Sequence, residues 1–172
     1  TALEVTNSQT ENGMTVIPHV EQHGIFGAKV VAAHCVHVDG REIQTLRHYN
    51  AGVSHNPSSN LKLASGFAPV RDMLKAGLAV GIGTDGAASN NDLDMFEEMR
   101  LAALVAKSAN NDPTVLPAAQ AVAMATRLGA RALHMDALIG SLEPGKRADL
   151  ILVDIAPIHN TPRFRREPEG IY

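Results

Sequence analysis

A parallel β-sheet covered by α-helices is the fold class this sequence predicts, and three observations carry it. Short apolar, β-leaning runs alternate with helix-like segments; the alternation repeats three times along the chain; and each run ends in a side chain that can move protons or bind metal, His34, His55 and Asp85. Two closures fit this alternation, an open doubly wound sheet and a (β/α) barrel. A dinucleotide-binding sheet is disfavoured because no glycine-rich phosphate loop follows a strand: Gly81 and Gly83 lie inside the third run, and Thr84-Asp85-Gly86 follows it.

The elements are taken in order. Residues 14–23 form a modest helix closed by Gly24, and residues 28–33 (AKVVAA) form the first strand, ending at His34. Asp39 with Glu42 three residues on is a capping-box pattern that opens a helix to about Asn50. Gly52–His55 is a second strand, halted by Asn56-Pro57, and residues 58–65 are expected to be a long polar loop. A helix over 69–76, with Pro69 near its start and Gly77 beyond its end, leads to a third strand over 78–84 (LAVGIGT). Residues 92–107 are the clearest helix: Leu93, Phe96, Met99, Leu101, Ala103 and Leu104 recur at near-helical spacing, and acidic residues crowd the first turns. An Ala-rich helix follows from Pro117 to about Leu128, then turn chemistry over 141–147 and a strand over 148–155 (ADLILVDI) with no helix after it. This change of register places a boundary near 136–140, dividing the chain into 1–138 and 139–172.

Composition narrows the function classes. The 172 residues are 45% hydrophobic and carry a net charge of -3, which suits a soluble globular protein and disfavours nucleic acid as partner. No apolar stretch approaches the roughly 20 residues of a membrane span, and no signal pattern opens the chain, so a cytoplasmic protein is expected. The single cysteine, Cys35, excludes an internal disulfide and a cysteine metal cluster.

Strands of one parallel sheet end on the same face, so His34, His55 and Asp85 are expected to converge there, as a mixed His and carboxylate metal site would require. Each has a plainer explanation. His34 could be a buried histidine satisfied by one backbone bond, His55 could close the Asn-Pro turn, and Asp85 could cap a loop. Strand alternation sends Cys35 away from His34, which favours packing over nucleophilic attack. His19, His23, His48, His134 and His159 are expected to be solvated, and Met73, Met95, Met99 and Met124 to pack in helix cores.

The segments AAHCVHVDG (32–40), VSHNPSSNLKLASGFAPV (53–70), GIGTDGAASNNDLDMFEEMRLAALVAK (81–107) and IGSLEPGKRADLILVD (139–154) resemble the amidohydrolase superfamily. Within it, the chain looks most like the branch of 5-methylthioadenosine/S-adenosylhomocysteine deaminases and chlorohydrolase-like triazine hydrolases. The resemblance implies part of a (β/α)8 barrel for 1–138, part of a small β-sandwich for 139–172, and one divalent metal, zinc or else iron. It implies that Asp85, after the eighth strand, is a metal ligand and proton acceptor, and that His34, after the sixth, hydrogen-bonds the attacking water. His55 then falls in the pocket region without being a ligand, and Asn60 helps shape that loop. The family's His-x-His pair and its His-x-x-Glu element occur nowhere in these residues, and such barrels need on the order of 250 residues. The expectation is therefore an internal fragment of a metal-dependent deaminase of an aminopurine nucleoside. Two alternatives stay open: a hydrolase of the same fold acting on a triazine, guanine or cytosine-type ring, and a non-catalytic subunit. The expected partners are a small-molecule substrate and either a second copy or a chain that supplies further barrel strands.

Overall fold

The computed structural model describes residues 1–154; the end of the strand expected over 148–155, much of the segment 139–172 and His159 lie outside the described residues. Among the described residues the chain forms α1 (Ala2–Asn12), α2 (Val16–Gln22), a 3-10 turn (Ile25–Gly27), β1 (Val31–Ala33), α3 (Gly40–His48), β2 (Gly52–His55), α4 (Pro57–Lys62), α5 (Val70–Lys75) and β3 (Ala79–Ile82). These are followed by α6 (Ala87–Asn90), α7 (Met95–Asn110), α8 (Ala118–Ala125) and α9 (Arg127–Ala132).

The three strands are parallel in the order β1-β2-β3, with Val31 opposite Gly52 and Gly52 opposite Ala79. The order follows the sequence, as it does around a (β/α) barrel and equally within one half of a doubly wound sheet. The ladder continues past the strands: His34 N–H donates to Ser54 O at 2.8 Å and Gly83 N–H to His55 O at 2.9 Å. The carboxyl ends are thus flush, and residues 34, 55 and 85 gather at one edge.

Alternation along the strands separates two faces. Val53 and Val80, fully buried, join Leu46 of α3, Met73 of α5, Ala102 of α7 and Met124 of α8 in one core. The opposite face carries Gly52 and Gly81 beside the small Ala79 and Ser54, and α9 crosses it. A Cβ on Gly52 would stand 1.9 Å from the Ala132 carbonyl oxygen, and one on Gly81 would stand 2.9 Å from Gly129 Cα. Glycine is required at both positions by the approach of a helix backbone.

Several expectations need correction. α1 shows no helical period in its apolar residues, and its one buried residue is Ser8; the readable signal is the Thr1/Glu4 capping box. The loop expected over 58–65 begins as α4, which Pro57 opens at its first position. The helix expected from 92 starts at Met95, where Asp94 caps the N–H groups of Phe96 and Glu97. Its buried face carries Glu98, Met99, Ala102, Ala103 and Ala106, while Leu93, Phe96 and Leu104 stay exposed. The buried Glu98 carboxylate is bonded by Asn90 and by the backbone of Ser58, and that anchorage accompanies a face rotated away from the larger apolar residues. The helix over 117–128 breaks at Thr126 (φ -125, ψ -100) into α8 and α9. Residues 148–154 form no strand: they lie beside no strand among the described residues, and Leu150, Ile151, Leu152 and Val153 remain exposed. Among the described residues, no helix is long and apolar enough to cross a membrane.

Candidate active site

The chain leaves β1 in an unusual way. His34 (φ 65) and Cys35 (φ 48) are consecutive non-glycine residues in the left-handed region, and Asp85 after β3 (φ 61) is a third. Such conformations cost free energy in L-residues and persist only where surroundings hold them, which is common at functional sites. Strand alternation therefore does not govern Cys35. The residue is buried all the same, and burial, with Glu42 nearby, pushes its thiol up to about 12. A thiol held protonated is a packing group, not a nucleophile.

His34 and Asp85 meet as expected, with His34 Nε2 at 3.7 Å from Asp85 Oδ2 and each side chain about one-third exposed. The other ring nitrogen, Nδ1, lies 2.8 Å from Asn60 Oδ1. Asp85 is held by three donors: Ser59 Oγ (2.8 Å) and Ser89 Oγ (2.9 Å) to Oδ2, and Gly86 N–H (2.8 Å) to Oδ1. The Ser59 hydroxyl, then the Gly86 N–H and the Ser89 hydroxyl, keep this carboxyl below the usual carboxylate range.

His55 sits differently. It is 2% exposed, and its Nδ1 and the Asn60 Nδ2 are the buried side-chain polar atoms without a hydrogen-bond partner among the described residues. Burial, and secondarily the nearby His34, push its pKa down to about 4 from 6.5. Such a ring is neutral in the folded chain. A histidine with a depressed folded pKa contributes stability above about pH 6.5 and loses it as pH falls toward about 4, because only the unfolded chain then takes up the proton. The expected loss across that window is on the order of 3 kcal/mol. Urea unfolding at stepped pH checks it; His55→Gln should flatten the profile, and an unchanged slope would remove His55 as its source.

Ser59, Ser89 and Glu98 belong to this site's framework, and the sequence reading had passed over all three. Glu98, 1% exposed, accepts from Asn90 Nδ2 at 2.7 Å and from Ser58 N–H at 3.2 Å. The available signal was weak: two serines in polar runs near the strand ends, and an acidic residue where the helical period asked for an apolar one. Among the histidines expected to be solvated, His134 is instead half-buried and donates from Nε2 to Val30 O at 3.2 Å. A cavity of about 600 Å³ beside β1 is lined by Ile17, Val20, Phe26, Ala32, His34 and Cys35 among others; Asp85, His55 and Asn60 are not among its walls.

One imidazole and one carboxylate fall short of the three or four protein ligands that zinc usually takes. Among the described residues, no group of three or more His, Cys, Asp or Glu side chains could hold a metal ion. The described residues by themselves therefore do not complete a metal site.

Comparison with known proteins adds the wider frame. The profile of the amidohydrolase family matches residues 4–170. A curated 5-methylthioadenosine/S-adenosylhomocysteine deaminase of Desulforudis audaxviator (strain MP104C) is 51% identical over the whole chain. The chain spans about 40% of the length of that relative. A crystal structure of an adenosine deaminase from Xanthomonas campestris with bound zinc superposes at TM-score 0.93 and 42% identity, over 100% of this chain and 39% of that one. An atrazine chlorohydrolase from Arthrobacter aurescens TC1 complexed with zinc superposes at 0.88 and 31% identity, over 98% of this chain and 37% of that one.

Proposed function

The chain belongs to the amidohydrolase family, and from that membership we propose that it forms part of a metal-dependent enzyme that hydrolytically deaminates an aminopurine nucleoside of the 5-methylthioadenosine/S-adenosylhomocysteine type. The observation that carries the reading is the His34–Asp85 pair at the carboxyl ends of β1 and β3, 3.7 Å apart and open to solvent. In such a reaction water adds to the ring carbon bearing the amino group, and ammonia leaves.

The hydrogen bonds on Asp85 set its part. A carboxylate held below its usual range takes a proton only from water that is itself acidified, and a divalent ion, zinc above all, supplies that chemistry when bound. Asp85 would be this chain's ligand to the ion, with the others drawn from residues beyond those described. Asp85 accepts the water's proton at Oδ2, the oxygen that faces His34. His34 Nε2 hydrogen-bonds the attacking oxygen and steadies the tetrahedral centre as charge develops. His55 and Asn60, buried behind the pair, shape the loop between them.

A second reading, hydrolysis of another ring substituent such as that of a triazine, draws support from the likeness to the atrazine chlorohydrolase. A chimera separates the two, with this chain replacing the matching 40% of the Desulforudis relative. Zinc-dependent ammonia release from 5-methylthioadenosine or S-adenosylhomocysteine is the expected result. Release of chloride from a chlorotriazine without any ammonia from the nucleosides would move the assignment to the second reading.

A further inference from the structure

We propose that the first turn of α4 is the positioning element of this site: Asn60 fixes the His34 ring in its Nδ1–H form while Ser59, next to it, holds Asp85. The inference rests on His34 and Asp85 being the reacting pair, and it assigns what orients them.

The geometry follows from where α4 lies. It leaves the central strand β2, so its first turn stands between the ends of β1 and β3. Neighbouring residues on a helix point about 100° apart, and residues 59 and 60 use that divergence. Asn60 reaches His34 on one side (2.8 Å) and Ser59 reaches Asp85 on the other (2.8 Å). Ser59 is 0% exposed and Asn60 3%, so each bond is shielded from competing water on the α4 side. The turn is itself tied down, since Ser58 N–H donates to Glu98, which also takes a bond from Asn90 at the end of α6. Ser89 on α6 gives Asp85 its second hydroxyl. Through these bonds α7 anchors both short helices that border the pair.

The consequence for His34 is chemical. An amide oxygen only accepts, so Nδ1 must carry the ring proton to bond it. The neutral ring then keeps its lone pair on Nε2, the nitrogen that faces Asp85. That atom accepts a hydrogen bond from one O–H of the attacking water while Asp85 Oδ2 takes the other proton. As the water adds to the ring, Nε2 takes up the proton of that bond and with it donates a hydrogen bond to the negative charge that develops. The other tautomer would present a fixed N–H to the water and leave Asn60 Oδ1 with no donor. Asn60 and Ser59 touch neither water nor substrate in this scheme; they are positioning residues.

Two readouts test this. In the chain alone, labelled with nitrogen-15 at histidine, NMR should show His34 protonated at Nδ1 and bare at Nε2. Asn60→Leu should lose that preference, whereas Asn60→Asp, which keeps an oxygen acceptor, should retain it. A His34 ring protonated at Nε2, or one indifferent to Asn60→Leu, overturns the proposal. If Asn60→Leu disrupts folding, the Asn60→Asp spectrum decides: loss of the Nδ1 proton there is equally fatal. In the chimera, Asn60→Leu should lower kcat by about 10–100-fold with little change in KM, and Asn60→Asp should recover most of it. A defect confined to KM, or one that Asn60→Asp does not rescue, counts against positioning. A chimera without deaminase activity would sink the functional reading, while the tautomer measurement would still judge the role of Asn60.

Discussion

Replacing Asp85 with alanine in the chimera lowers kcat/KM for deamination by on the order of 10³-fold or more, the scale of losing a group that accepts a proton in the transition state. The same change costs stability on the order of 1–2 kcal/mol, because the buried Ser59 hydroxyl loses its acceptor, while the Ser89 hydroxyl keeps a second one in Gly86 O. Bound zinc falls with activity if Asp85 is also a ligand. Steady-state kinetics with metal analysis of the same preparation measures both. Turnover within about tenfold of the parent would exclude Asp85 from the chemistry. Asp85→Asn sharpens the result: it keeps the shape and an oxygen for the hydroxyls but removes the charge, and it should be nearly as impaired as alanine.

Gly52→Ala carries the largest expected cost to the fold. A methyl at this position would lie 1.9 Å from the Ala132 carbonyl oxygen and 2.6 Å from its Cα, so no rotamer change can relieve the overlap; α9 itself must move. Overpacking of a core typically costs about 1–3 kcal/mol and more when backbone must shift, so a loss on the order of 4 kcal/mol is expected. Chemical denaturation of the substituted chain measures it. Gly86→Ala is the control, since a Cβ there meets nothing within 4 Å, and it should change stability very little. Equal stability of the two variants would mean that α9 does not dock on β2 as described.

The two outcomes bear on different layers of the molecule, and they differ in how far they could be foreseen. Asp85 was legible because three short apolar runs each ended in a chemistry-bearing residue, and strands of a parallel sheet end together. The Asp39–Glu42 capping box was legible because both partners lie within one helical turn, and the structure forms it with Asp39 accepting from the N–H groups of Arg41 and Glu42. β2 was legible to the residue, opening on Gly52 and halted by Asn56-Pro57. By contrast α4 carries no helical signature: its six residues, PSSNLK, hold too few apolar positions to display a period, and its stability comes from what surrounds it. α6, four residues of AASN, was hidden for the same reason.

What the sequence by itself determined is local: the capped and glycine-closed helix ends, the three strands, their parallel sense, and the edge at which His34 and Asp85 meet. Those follow from interactions within a few residues and from the period of apolar side chains. Only the tertiary structure decided which neighbours serve that edge. Ser59 and Asn60 each find partners 26 residues away, Glu98 reaches back 40 to Ser58, and His55 is neutral because the fold closes over it. Hydrogen bonds across such distances depend on how helices pack on the sheet, and desolvation depends on everything packed around a group. Neither leaves a mark in the residues that precede and follow it.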